Sequence, residues 1–385
     1  DVIDATPNAT DEEKEAAKVR VNEAEQLGDS KVDQAQTNQQ VTDAKTEAVN
    51  NINNIRPIVV KKPTAYNEID TKFEEVKQAI NATPNATTDE KNEAIQRLTA
   101  KREEIKNQIS QDTKNDQVEQ HKVNGLQELG NIHVNPVKKS EAIQAVEEKV
   151  NSQNGLITNN NDATDEEKAN AKQLVEAAKN KAVTNINESQ TNDQVDNAKD
   201  SGMNEIGSIQ PATTIKSDAK TAIDQKAQQQ ATIIDGNNDA TDEEKTDAKN
   251  LVEAAKTEAK DDITKQHTTN EVNDVKAAGL EKINNIQPAT AVKTNAKQDL
   301  QRKANEQKEQ INQTPDATEE EKQEAISRVN TALAEATQKI NQAHSTSDVN
   351  SAKNEGINAI NGIHPTVAKK QNAINELTQK ASEQK

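Results

Sequence analysis

The chain has no cysteine, no tryptophan, and only one tyrosine, one phenylalanine and one methionine among its 385 residues. Without cysteine there is no disulfide framework and no thiolate metal site. That usage suits extracellular bacterial proteins and many cytosolic ones alike, so it leaves the compartment open. With almost no aromatics, and with a hydrophobic fraction of 31%, any core must be built thinly from Ala, Val, Ile and Leu. Small units of that kind are marginally stable alone and lean on neighbours. No apolar run approaches the roughly 18 residues that cross a bilayer, and residue 1 does not begin a signal peptide. A basic surplus is missing too: 66 Asp plus Glu outweigh 48 Lys plus Arg, for a net charge of −18. Such a polyanion has no basic patch to release counterions from phosphates, which argues against nucleic acid and membrane insertion or anionic membrane surfaces as partners.

What is present is a repeat. Thr10-Asp11-Glu12-Glu13-Lys14 returns at Thr87-Thr88-Asp89-Glu90-Lys91, Thr164-Asp165-Glu166-Glu167-Lys168, Thr241-Asp242-Glu243-Glu244-Lys245 and Thr318-Glu319-Glu320-Glu321-Lys322, each 77 residues after the last. Constant spacing of this kind marks a tandem array. The mean hydropathy of −1.05 borders on that of disordered chains, and the periodicity is what argues for a fold. The motif sets a frame of residues 1–9 as the end of a preceding helix and linker, then repeats at 10–86, 87–163, 164–240, 241–317 and 318–385, the last with a truncated third helix. The chain reads as a piece of something longer.

Within the repeat that begins at Thr164, the threonine followed three residues later by Glu167 is a capping box, with acidic residues at the positive end of the helix dipole. Ala171, Val175, Ala178, Ala182 and Ile186 recur at three- and four-residue steps and predict helix A over about 165–187. Thr191 with Gln194 opens helix B, marked by Val195, Ala198, Gly202, Met203, Ile206 and Ile209 and stopped at Gln210-Pro211. Ala219, Ile223, Ala227 and Ile234 define helix C. The fold class is therefore all-α: a tandem array of antiparallel three-helix bundles forming an elongated rod, roughly 150 to 200 Å long if five helices of about 33 Å add end to end. Gly125, Gly202, Gly279 and Gly356 stand mid-helix B opposite Ala48, and close approach of a neighbouring helix is the expected compensation for the roughly 1 kcal/mol a mid-helix glycine costs. Proline in the joints at Pro84 and Pro315 favours stiffness, whereas Asn159-Asn160-Asn161 and Asn237-Asn238 are candidate bending points.

Candidate sites are few. Asp235, Asn237 and Asp239 have the one, three, five spacing of a calcium loop, but Ala240 stands where the glycine is needed and Thr246 where the bidentate glutamate is needed, so helix capping is favoured. Stacked repeats would bring His267 of an A–B loop towards His364 of the next B–C turn. A zinc pair there is weighed against solvent-exposed histidines, which are favoured. His121 occupies a core column shared with Ala44, Ala198, Val275 and Ala352, its polar edge expected at the rim. Tyr66 and Phe73 read as core filling. Asn8, Asn81 and Asn85 lie in Asn-Ala-Thr acceptor sequences that matter only on a eukaryotic secretion route. No nucleophile with a base, phosphate loop or catalytic carboxylate pair is seen. The expectation is no enzyme, with no catalytic, cofactor-binding or metal residue and no cofactor.

With the repeat in view, Ile-Gln-Pro-Ala-Thr at 209–213 and 286–290, Thr-Pro-Asp-Ala-Thr-Glu-Glu-Glu-Lys at 314–322 and Ala-Lys-Asn-Glu-Gly-Ile-Asn-Ala-Ile at 352–360 resemble the uncharacterised helical repeat of large staphylococcal cell-wall-anchored surface proteins. These are of the staphylococcal surface protein C, methicillin-resistance surface protein and extracellular matrix-binding protein type. Val134 and Pro136, and Ile58-Val59-Val60 after Pro57, depart from the pattern at the B–C turn. The resemblance implies an extracellular, cell-wall-anchored stalk that projects an adhesive domain and supports attachment, cell aggregation and biofilm formation, with peptidoglycan anchoring made by other regions. The alternative it implies is that the repeats themselves bind a host matrix protein such as fibronectin, or one another on neighbouring cells, through many weak sites.

Overall fold

The computed structural model describes residues 2–385. Among them all regular structure is helical: α1 (Asp11–Asp33), α2 (Asn38–Asn53), α3 (Lys61–Asn81), α4 (Thr88–Gln111), α5 (Asn115–Gly130), α6 (Lys138–Thr158), α7 (Asp165–Glu188) and α8 (Asn192–Ser208). The series continues with α9 (Thr214–Asp235), α10 (Asp242–Lys265), α11 (Thr269–Asn284), α12 (Ala291–Asn312), α13 (Glu319–Gln342), α14 (Thr346–Asn361) and α15 (Lys369–Gln384). The A, B and C helices of the sequence thus recur in order five times. Capping boxes open α1, α4, α10 and α13 at Thr10, Thr87, Thr241 and Thr318, where both the threonine and the glutamate bonds form.

The chain divides into two compact units: one runs to Leu156 and includes Gln173–Ile209, the other comprises Ile157–Lys172 and Gln210–Lys385. In the first, α1 and α2 pack on each other, and α3 packs on α4 and α5. The α3–α4–α5 core contains Ile69, Phe73, Ile80, Leu98, Ile105, Ile109, Val118 and Leu129. In the second, α9 packs on α10 and α11, and α12 on α13 and α14. Their cores use the corresponding residues, for example Ile223, Val252, Ile263 and Ile283 in one and Leu300, Val329, Ile340 and Ile360 in the other.

Each of these three cores therefore joins a C helix to the A and B helices that follow it, and not to the A and B helices of its own 77-residue frame. The frame 10–86 cuts through the packing by one helix. The apolar stripe of α3 does not itself choose between the two A–B pairs; the path of the connection into it lays it on α4 and α5 rather than back on α1 and α2. Periodicity shows which face of a helix is buried, but not which helix buries it.

The mid-helix glycines answer to this packing. A Cβ on Gly279 would lie 2.6 Å from Ala259 Cβ and 3.0 Å from Ile223 Cδ1, and one on Gly125 would lie 2.6 Å from Ile105 Cγ2. Helices A and B touch there closely enough that no side chain fits. In the first repeat the pair is inverted, with Gly28 on helix A facing Ala48 on helix B.

Candidate functional site

The repeated acidic motif is the most elaborated feature of the surface, and its last glutamate in every copy bonds backbone N–H groups elsewhere in the chain. Glu90 shows the pattern. One carboxylate oxygen, Oε2, accepts the Thr87 N–H at 2.8 Å and closes the capping box of α4. The other, Oε1, accepts the N–H groups of Val137 and Lys138 at 2.9 and 2.8 Å, at the start of α6. Glu13 does the same for Val60 and Lys61 at the start of α3, and Glu321 for Ala368 and Lys369 at the start of α15. Glu167 holds Ile215 and the Thr214 hydroxyl, and Glu244 holds Val292. The C helices need this support: α3, α9, α12 and α15 have no side-chain cap of their own. A single glutamate thus caps two helix N-termini, where free N–H groups and the dipole both favour a carboxylate.

The residue before that glutamate reaches into the next repeat. Glu12 accepts from the Asn115 N–H, Asp89 from Asn192, Glu166 from Thr269 and Glu243 from Thr346, in each case 103 residues ahead and at the start of a B helix. Two further bonds accompany it. The first N–H of the A helix donates to a carbonyl of the following A–B loop, as Asp11 to Thr113, Thr88 to Gln190, Asp165 to His267 and Asp242 to His344. The buried threonine hydroxyls of Thr10 and Thr87 donate to Asn115 Oδ1 and Asn192 Oδ1 at 2.8 and 2.7 Å. The motif is a joint in which three helix starts converge.

These bonds set the electrostatics. Partial burial, the largest single influence on Glu13, Glu90 and Glu167, pushes their carboxyls up, but the backbone N–H groups together outweigh it and leave all three below the ordinary range. Glu321, bonded to the N–H groups of Thr318, Lys369 and Ala368, is held down at about 2. Glu243 is lowered first by the Thr346 N–H.

A second polar column escapes sequence reasoning. Lys62, Lys139, Lys216 and Lys293 are buried in the first turn of the C helices. Each Nζ donates to a carbonyl at the C-terminal end of the following A helix: Ser110, Asn187, Thr264 and Asn341 respectively. Lys216 and Lys293 also reach the joint carbonyls of Asn161 and Asn238. Burial, followed by repulsion from neighbouring lysines, pulls Lys216 and Lys293 below the usual lysine value. Gln153, Gln230 and Gln307 close the other end, donating to the Ile209, Ile286 and Ile363 carbonyls. The signal was available, since lysine recurs every 77 residues at 62, 139, 216, 293 and 370. A lysine on a helix start reads as surface until its partner helix is known.

The remaining candidates fall into place around the joint. His267 and His364 are not brought together: the A–B loop meets the repeat before it, so the His267 carbonyl accepts from Asp165, while the His364 carbonyl accepts from Arg328 at 2.8 Å. In the loop read against calcium binding, Asn237 Oδ1 accepts the Asp239 N–H at 2.9 Å, and Asp235 pairs with Lys249 at 2.8 Å. The joint at Asn160 has the same turn, with Asn160 Oδ1 accepting the Asp162 N–H. His121 lies at the rim with Nδ1 2.9 Å from the buried Asp112 carboxylate, a pair found in no other repeat because Asp112 is replaced by Ala35, Ser189, Gln266 and Ala343. Phe73 is in the core with the Arg102 guanidinium 4.2 Å from its ring centre, and Tyr66 packs on that core's edge. Among the described residues no group of three or more His, Asp or Glu is placed to hold a metal ion, and no helix is long and apolar enough to cross a membrane.

The fold and its joints define a tandem helical-repeat protein whose repeated polar residues are spent on holding one repeat to the next. The chain belongs to the family described as Domain of Unknown Function (DUF1542), whose model matches residues 1–60, 61–137, 138–214, 215–291 and 292–368. The four 77-residue matches begin at the first or second residue of a C helix, the same displacement seen in the packing. Among curated relatives, the chain is 28% identical over 382 residues to "Extracellular matrix-binding protein EbhA" of Staphylococcus aureus (strain Newman), covering 98% of this chain and 11% of that protein. It is likewise 28% identical over 382 residues to "Extracellular matrix-binding protein ebh" of Staphylococcus aureus (strain NCTC 8325 / PS 47), covering 98% of this chain and 4% of that one. The chain thus spans a small part of these relatives' length. No solved structure matches.

Proposed function

We propose that the chain is a run of spacer repeats from a bacterial cell-surface adhesin, projecting an adhesive domain from the cell wall and so supporting attachment, aggregation and biofilm formation. One observation carries this reading: most of the polar residues that recur from repeat to repeat are bonded to the chain's own backbone. The glutamates cap C helices, the acidic residue before them holds the next B helix, and the lysines cap A helices. Recurring polar residues that served a ligand would face solvent. Here the exposed positions vary instead: Arg20, Arg97 and Arg328 bond a B–C turn carbonyl, whereas Leu174 and Leu251 fill the same position and are exposed. In this reading the chain is not an enzyme, and wall attachment belongs to other segments of a longer surface protein. The test is small-angle scattering of the chain: the proposal expects an elongated particle of roughly 150 Å or more, from five helix lengths end to end, and a compact globule ends it.

The names of the relatives favour a second reading, in which the repeats themselves hold a matrix protein or a like array through many weak contacts multiplied by avidity. Surface plasmon resonance of one, three and five repeats on immobilised fibronectin separates the two. A spacer gives no signal at any length, while an avid array gives one that steepens with repeat number.

A further inference from the structure

One exposed position of the A helix changes between bundles in step with a position of the C helix beside it. In α3–α4–α5 and α12–α13–α14 the A helix carries Arg97 and Arg328, whose guanidinium groups donate to the B–C turn carbonyls of His133 and His364 at 3.1 and 2.8 Å. The accompanying C-helix residues are Ala79 and Gln310. In α9–α10–α11 the two residues are instead Leu251 and Ile233, 59% and 53% exposed. The ion pairs Asp224–Lys260 and Asp235–Lys249 fix the register of the antiparallel α9 and α10 and set these two side chains level. The neighbouring repeat makes the same double exchange, to Leu156 and Leu174, both exposed, so the change is not the drift of a single residue.

Ile233 and Leu251 flank one B–C turn. Ile233 follows by three residues the Gln230 whose amide donates to the Ile286 carbonyl at 2.7 Å, and so lies on the same side of α9. Leu251 holds the place from which arginine reaches the next carbonyl, here that of Gln287. No group among the described residues donates to the Gln287 carbonyl. A second acceptor at this turn is also unmet, because Gln230 is 1% exposed and its Oε1 is buried without a donor.

We infer that this turn takes an arginine side chain of a partner protein, presented beside an aliphatic one. The sister bundles show what complements the turn, since each fills it with a guanidinium of its own. An arginine brings both parts required, a stem that covers apolar surface and a head that donates, and the exposed Ile233 and Leu251 give an aliphatic neighbour a surface to cover. The net charge of −18 favours a cationic segment over an acidic one or a second copy of this chain. The inference goes beyond the spacer reading without altering it, because the joints hold the repeats whether or not this turn is filled.

The test is titration of the whole chain with the peptide acetyl-Leu-Arg-Leu amide, followed on backbone amide resonances by TROSY spectra. Saturable shifts are expected at residues 286–289 and not at the turns of His133 and His364, which their own arginines close. Leu251→Arg, which installs the residue the sister bundles carry, is expected to abolish the shifts while leaving the fold intact. A peptide with norleucine in place of arginine keeps the aliphatic contact and loses the donor, and is expected to bind at least tenfold more weakly. Absence of shifts at 286–289, equal shifts at all the turns, or shifts that survive Leu251→Arg overturn the proposal. So does a concentration-dependent shift without peptide that Leu251→Arg removes, which would give the face to a second copy.

Discussion

Gly28 of α1 and Ala48 of α2 meet with so little space that a Cβ on the glycine would lie 2.6 Å from that of the alanine. In the fourth repeat the sizes are exchanged, with Ala259 on helix A and Gly279 on helix B. One member of the pair must be glycine, and which helix supplies it is free. Gly279→Ala is therefore expected to destabilise its bundle by about 1–3 kcal/mol through overpacking, despite a helix-propensity gain of up to about 1 kcal/mol. Adding Ala259→Gly restores the inverted pairing of the first repeat and recovers part of the loss. Urea unfolding of the two single variants and the double variant measures the coupling.

Removing the two-helix cap leaves backbone donors without partners. Glu90→Ala frees the N–H groups of Thr87, Val137 and Lys138, with an expected cost of about 1–3 kcal/mol. The signature that distinguishes a joint from a surface charge is local. Hydrogen exchange should speed up at Val137 and Lys138, 47 and 48 residues away in sequence, while amides in the middle of α10 are unchanged.

The same carboxylates set an acid limit. Glu13, Glu90, Glu167 and Glu321 all have folded values below the 4.5 of the free side chain, with Glu321 at about 2. A lowered carboxyl pKa adds stability that is fully present above the unfolded value and is lost as pH falls through the folded one. Urea midpoints are expected to hold at neutral pH and to drop progressively below pH 4.5. Glu90→Gln should lower the neutral midpoint and flatten its acid slope.

The buried lysines act at the other end of the scale. Lys216 and Lys293 are lowered from 10.5, so the unfolded chain holds these protons more tightly and their contribution to stability rises as pH climbs from the folded value towards 10.5. Lys216→Met should remove that alkaline rise. It also leaves the Asn161 and Thr264 carbonyls without their donor, at an expected cost of about 1–3 kcal/mol at neutral pH. Thermal unfolding from pH 7 to pH 10 follows both effects.

Much of this fold is legible in the chain. Thr164 with Glu167 marks a helix start from sequence alone, and the column of Ile206, Ile283 and Ile360 marks the core, because five repeats serve as an internal alignment. Partner choice is not legible. An apolar stripe on α3 is satisfied equally well by α1 and α2 or by α4 and α5, and only the chain's path decides. The joint is half legible for the same reason: Glu90 as its own helix's cap needs three residues of context, whereas Glu90 as the cap of α6 needs the position of a helix that begins nearly fifty residues later. The separation of His267 from His364 is set by the direction in which the A–B loop docks, which no local pattern encodes.

The central claim is that the recurring polar residues build a joint that sets length. Its most direct test is small-angle scattering of fragments containing one to four complete C–A–B bundles. The account predicts that the maximum dimension grows by a constant increment of about 33 Å per repeat, the length of one helix of about 22 residues. A radius of gyration near the roughly 21 Å expected for a compact globule of this length, or increments that shrink as repeats are added, would contradict it.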